Sequence, residues 1–143
     1  MDETDRAILA HLGQDARVSV AVLARRIKLA RSTVQARLER LETSGVIAGY
    51  TLRLGEAARL TRIRATCLLT IEPRAQPAIL GRLKAIPAVE RVHSTSGRVD
   101  LLLQLACAST VELDEVLDQI GNLTGVRSSE SLVHLSTKFD RAV

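Results

Sequence analysis

The chain has 143 residues, 46% of them apolar and 25% charged, and a net charge of +4, the profile of an ordinary globular protein with room for one good core or two small ones. One Phe, one Tyr and no Trp argue against single-strand binding by base stacking, which needs several aromatic faces. Cys67 and Cys107 are too few and too far apart for a metal knuckle or a disulfide framework, no apolar run reaches the length of a membrane span, and Met1-Asp2-Glu3 is acidic rather than signal-like; a cytoplasmic protein is expected.

The first helix is predicted from Thr4 to Leu12, with Ile8, Leu9 and Leu12 on one stripe, Asp2 placed to cap it and Gly13 at its end. A second starts after Ser19 and carries Val20, Leu23 and Ile27. After the turn Lys28-Leu29-Ala30, a third runs from Arg31 to Thr43 with Val34, Leu38 and Leu41 inward, stopped by Ser44-Gly45. Two short amphipathic helices joined by so tight a turn form a helix-turn-helix.

Charge follows the same division. Residues 1–64 hold 12 Lys+Arg against 7 Asp+Glu, a net of +5, and residues 65–143 hold 8 against 9, a net of −1, which gives the halves different partners. Arg25, Arg26, Lys28, Arg31, Arg37 and Arg40 crowd into sixteen residues with Glu39 the single acidic residue among them. A solvated helix face would explain the charges alone, but on a helix-turn-helix they read as a polyanion contact. Facing away from the core of the third helix are Ser32, Gln35, Ala36 and Glu39, short or hydrogen-bonding side chains suited to a major groove. Thr33 joins the expected DNA-binding set, and Arg31, Arg37 and Arg40 flank it where phosphates would run. Arg37 lies near the buried edge, so pairing with Glu42 or with an acidic residue of the first helix competes with its phosphate role.

The run Gly45 to Leu54 alternates in two pieces split by Gly49 and predicts a small hairpin wing. This gives a winged helix-turn-helix over residues 1–54 and a linker over 55–63. From 64 to 143 the pattern becomes strand-helix-strand-strand-helix-strand: a strand from Arg64 to Glu72, a helix from Gln76 to Ala85, and strands over Val89 to Ser96 and Asp100 to Ala106. A helix opened by the capping-box spacing Ser109 to Glu112 follows, then a last strand from Gly125-Val126 to about Thr137. The class is α+β, with a C-terminal ferredoxin-like βαββαβ domain. Leu83, Ile86 and Val89 recur as Ile120, Leu123 and Val126, 37 residues on, as the pseudo-symmetry of that fold would have it. Leu68 and Leu102 place apolar side chains on the sheet face that helices leave open, so a homodimer, sheet facing sheet, is expected.

Several of these residues together resemble the Lrp/AsnC (leucine-responsive, or feast/famine) transcription regulators: Asp2-Glu3-Thr4-Asp5-Arg6-Ala7-Ile8-Leu9, Asp15-Ala16-Arg17, Leu23-Ala24, Thr33-Val34 with Arg37, Leu41-Glu42, Gly45-Val46-Ile47, Gly49-Tyr50, the turn Gly97 to Asp100, and Gly125-Val126. The resemblance covers nearly the whole chain. It implies binding to double-stranded DNA, dimers often assembled into octamers, and control by a small effector, usually an amino acid, with no cofactor. The chain departs from the family in having Ala30 where Ser or Thr usually caps the recognition helix, and Val99 and Leu101 where aromatic residues usually flank Asp100. The expected effector set is Ser96, Gly97, Arg98, Val99, Asp100 and Ser131. Asp100 would hold an ammonium while free N–H groups of Ser96 to Val99 take a carboxylate, or else it simply caps its turn.

His93 and His134 read as ordinary strand residues, and Cys67 and Cys107, on the two central strands, as buried thiols. No catalytic order of residues is apparent, and the chain is not expected to be an enzyme. The leading reading is a sequence-specific DNA-binding regulator, cytoplasmic and nucleoid-associated. A nucleoid-organising protein without a target gene is the alternative, and a haem-pathway decarboxylase on the same two-domain plan a weaker one.

Overall fold

A computed structural model describes residues 1–141. The chain divides into two compact units, one holding Met1–Arg53 and the other Leu54–Asp140.

The first unit is three helices, α1 (Glu3–Gln14), α2 (Val20–Ile27) and α3 (Arg31–Thr43). α1 starts on a reciprocal cap: the Asp2 carboxylate accepts from the Asp5 N–H at 2.9 Å, and the Asp5 carboxylate from the Asp2 N–H at 3.1 Å. It runs through Gly13 to Gln14 rather than stopping at the glycine. Ser19 caps α2 by accepting from the Val22 N–H, and Lys28 ends it in the left-handed conformation, φ +62°, which makes the turn into α3 tight. α3 begins at Ala30 with no side-chain cap. Gly45, at φ +78°, turns the chain just after it. Ile8, Leu23, Val34, Leu38 and Leu41 are buried together, with Leu12, Ile27 and Ile47 packed around them.

The wing does not form. Residues 45–54 contain no strand, because Ile47, whose N–H donates to the Leu41 carbonyl at 2.9 Å, turns in to the helical core instead of pairing. The Tyr50 hydroxyl donates to Glu42 on α3 at 2.8 Å, and Leu52 beyond it is 83% exposed.

The second unit opens with a single helical turn, α4 (Glu56–Arg59), where a patternless linker is expected. Then come β1 (Ile63–Ile71), α5 (Gln76–Lys84), β2 (Val89–Ser94), β3 (Leu101–Cys107), α6 (Thr110–Gly121) and β4 (Val126–Val133). The sheet order is β2-β3-β1-β4 with every neighbouring pair antiparallel, the split βαβ arrangement of a ferredoxin-like domain. Cys67, Leu69, Leu103 and Leu105 on one sheet face meet Ile79 and Leu83 of α5 and Val116 and Ile120 of α6; each fully buried aliphatic side chain contributes about 1.5–3 kcal/mol. On the other face lie Thr66, Leu68 and Thr70 of β1, alternating with the buried set. Gly125, φ +95°, lets β4 start against α5: a Cβ there would lie 2.3 Å from that of Ala75. β4 ends at Val133 rather than near Thr137. By then it has reached Ala65 at the start of β1, and the His134 N–H makes one last bond to Arg64. No described helix is long and apolar enough to cross a membrane.

Candidate nucleic-acid interface

The outward ridge of α3 carries the predicted base-facing side chains. Ser32, Thr33, Gln35, Ala36 and Glu39 are all exposed, while Val34, Leu38 and Leu41 are buried beneath them. Two open concavities border the ridge. Ser19, Val20, Ala21, Arg31, Ser32 and Gln35 line one; Ser32, Thr33, Ala36, Arg37 and Arg40 line the other. Along the ridge Gln35 Nε2 donates to Glu39 Oε1 at 3.1 Å.

The cations beside the ridge fall into two groups. Arg25, Arg26, Lys28 and Arg31 are exposed and form no ion pair among the described residues. Arg37 and Arg40, expected at phosphates, are instead bound within the protein. Arg37 Nη1 lies 2.6 Å from Asp2 Oδ2 and 3.1 Å from Asp5 Oδ1, and Arg40 Nη2 lies 2.9 Å from Asp5 Oδ2. Of the two readings of Arg37, pairing with α1 is the one the geometry takes, and Glu42 goes to Tyr50 instead. Asp5 is 1% exposed. Burial works against its charge, yet the Asp2 N–H and the Arg37 guanidinium hold its carboxyl below the usual carboxylate range. The hydrogen bond from Arg37 brings Asp2 down to about 2, and the two carboxylates raise Arg37 in turn. Two carboxylates facing two guanidiniums make the cluster neutral. Arg40 keeps an outward side, being 60% exposed.

Comparison with known proteins decides what kind of surface this is. Residues 1–42 match the AsnC-type helix-turn-helix domain, and residues 64–143 match the Lrp/AsnC ligand binding domain. The chain is a member of the Lrp/AsnC family. Among its relatives, an uncharacterized HTH-type transcriptional regulator of Pyrococcus abyssi is 31% identical over 96% of this chain and 88% of its own. The HTH-type transcriptional regulator LrpA of Mycobacterium tuberculosis is also 31% identical, over 93% of this chain and 89% of its own. The solved LrpA structure superposes with a TM-score of 0.80, covering 100% of this chain and 98% of that one. Escherichia coli AsnC, at 23% identity, shares the fold with a TM-score of 0.89 over 100% of this chain and 97% of its own. This Lrp/AsnC chain is therefore a DNA-binding transcriptional regulator, and not an enzyme.

The second expected site of this Lrp/AsnC protein is the turn between β2 and β3. Gly97 takes φ +115° there, and Thr95 Oγ1 donates to the Val99 carbonyl at 2.7 Å. Asp100 Oδ2 accepts from the Ile71 N–H at 2.8 Å, beside the register shift of β1 at Thr70/Ile71. One carboxylate oxygen is thus spent on β1, a partner outside the Gly97 turn that neither reading of Asp100 named. Arg98 reaches across to Glu130 of β4 at 3.1 Å. Glu130 pairs with Leu68 and Ser131 with Cys67, so Ser131 shares the helix-side face and Arg98 meets the opposite one. Register therefore puts Ser131 and Glu130, the partner of Arg98, on opposite faces of the sheet.

His134 Nε2 lies 2.8 Å from Thr66 Oγ1, and the described residues hold no cluster of His, Cys, Asp or Glu suited to a metal. Cys67 and Cys107 are buried free thiols. They do not face each other: Cys67 pairs with Leu103 and Cys107 with Ile63. Burial pushes the Cys67 thiol up to about 11, far from a reactive thiolate. Sequence reasoning reached Asp5 only as the acidic residue of the first helix that Arg37 could pair with, and missed its bond to Arg40. A signal was present, since Asp2 and Asp5 repeat the three-residue spacing of Arg37 and Arg40.

Proposed function

We propose that this regulator binds a specific double-stranded DNA sequence as a two-fold assembly of dimers or larger oligomers, in the cytoplasm and on the nucleoid, under the control of an amino acid or a related small molecule. The observation that carries the DNA reading is the exposed ridge Ser32, Gln35, Ala36 and Glu39 on α3, with Arg25, Arg26, Lys28 and Arg31 beside it and without ion-pair partners among the described residues. Bases would meet the ridge and phosphates the unpaired cations. Thr33, Arg37 and Arg40 border the same surface; for the two arginines a phosphate contact would use only the guanidinium atoms that Asp2 and Asp5 leave over.

Residues 1–54 would serve as the DNA-binding domain, 55–63 as the connection and 64–143 as the sensing and assembly domain. A second copy is supported by the sheet face bearing Leu68 and Leu102, and by Tyr50, Leu52 and Leu54, apolar side chains exposed at alternate positions. The sensing role is supported by the match to a ligand binding domain. The turn Ser96 to Asp100 is its proposed seat, with Ser131 a more distant contributor.

The test is binding of the full chain to the DNA upstream of its own gene, repeated over several salt concentrations and with each of the twenty amino acids. A steep salt slope, preference over random DNA and a response to one amino acid are expected. A salt slope without preference would mean a DNA-organising protein instead, and neither slope nor preference would overturn the DNA reading.

A further inference from the structure

The hydrogen bond from Gln35 Nε2 to Glu39 Oε1 joins two exposed side chains one turn apart on the outward ridge of α3. An ionised carboxylate only accepts, so the Gln35 amide must turn its NH2 toward Glu39. What remains on the amide is one N–H and the Oε1 oxygen, a donor and an acceptor in one fixed order. Adenine shows the major groove an acceptor, N7, beside a donor, the N6 amino group; guanine shows two acceptors, N7 and O6. A fixed Gln35 amide fits the first edge and sets its oxygen against O6 of the second.

Among the described residues the Glu39 side chain makes no other hydrogen bond or ion pair. A carboxylate on a helix meant for DNA is repelled by phosphates, and it would ordinarily be neutralised by a neighbouring arginine. The nearest in sequence, Arg37 and Arg40, are already engaged by Asp2 and Asp5, which leaves the Glu39 carboxylate to Gln35. Ser32 and Ala36, beside the pair on the ridge, are too short to compete with the Gln35 amide for a base edge.

We propose that Gln35 reads an adenine in the major groove and that Glu39 is its positioning residue, fixing the amide in the orientation that excludes guanine. This rests on the DNA-binding reading above and specifies the base that it recognises. The test uses the full chain. Preferred sites are selected from a randomised double-stranded library, and affinities for adenine and guanine at the position that depends on Gln35 are measured over several salt concentrations. The wild type is expected to prefer adenine by about ten-fold or more, as a bidentate contact gives. Gln35→Ala should erase the preference at that one position. Glu39→Gln, which keeps length but lets the amide rotate, should bring the adenine-to-guanine ratio toward parity, while the loss of a negative charge shifts affinity for both bases alike.

Three results would overturn the inference while leaving the DNA-binding reading intact, because the salt slope would persist: an unchanged ratio in Glu39→Gln, no positional effect of Gln35→Ala, or selection of another base at that position. A flat salt response with no preference over random DNA would remove both.

Discussion

The two flanks of α3 are built from the same residue types and are used in opposite ways. On the side of α2 and the turn, Arg25, Arg26, Lys28 and Arg31 project with no counter-ion among the described residues. On the side of α1, Arg37 and Arg40 are held by Asp2 and Asp5, and the four charges cancel. A count of basic residues treats these flanks alike. The charge available to a polyanion is what remains after internal pairing, and beside this helix that charge lies toward its N-terminal end.

The comparison can be broken from beneath. Ile8→Ala opens a cavity under both flanks, since Ile8 is fully buried between the helices; a loss of about 2–5 kcal/mol is expected in chemical denaturation, with DNA binding lost as the unit loosens. The flanks separate in the next pair of variants. Arg37→Ala strips Asp2 and the buried Asp5 of their shared partner, and its thermal midpoint should fall clearly while the salt slope of DNA binding stays nearly as it was. Arg31→Ala should do the reverse: stability stays within about 0.5 kcal/mol of the parent, and the slope of log K against log salt shrinks by about 0.9. A full unit of slope lost with Arg37→Ala would show that the paired flank also neutralises phosphate.

Two smaller effects sharpen the contrast. Ala30→Ser supplies the side-chain cap that α3 lacks, and a gain of about 1 kcal/mol is expected. The last effect is a titration. The Asp2 carboxyl is held at about 2 against an ordinary value of 3.8. Its contribution is therefore complete above pH 3.8 and is lost as pH falls through about 2. An Asp2→Asn variant should show less acid loss of stability in that window, and an identical acid limb would mean that Asp2 and Arg37 part in solution.

How much of this the sequence made legible depended on how local the cause was. The span of α3, Arg31–Thr43, follows from apolar spacing and the Ser44-Gly45 stop, and the structure has the same bounds. The Asp2 cap and the βαββαβ order were legible for the same reason. The wing was not. The alternation from Val46 to Leu54 has the period of strands, but a strand also needs a partner, and Ile47 is spent on the helical core. The far end of β4 misled likewise, because pairing stops where β1 begins. The pairing of Arg40 was not legible for a third reason: its partner Asp5 lies 35 residues away, beyond any periodicity, and for Arg37 the sequence left pairing with the first helix as one of two readings. Asp100 was readable as a turn residue, but its bond to Ile71 N–H depends on a register shift in β1 that no local pattern reveals.

The bond between Tyr50 and Glu42 gives the molecule an optical property as well. Tyr50 is the sole tyrosine in a chain with no tryptophan, so ultraviolet emission excited in the phenol band has one source, unobscured by brighter indoles. Its hydroxyl rests on a carboxylate near the C-terminal end of α3. Burial, together with that neighbour, raises its ionisation above the ordinary phenol value. Any event that lifts the segment after α3 off the helix, or presses it tighter, would change the intensity of that one fluorophore, and docking on DNA could be followed without a label.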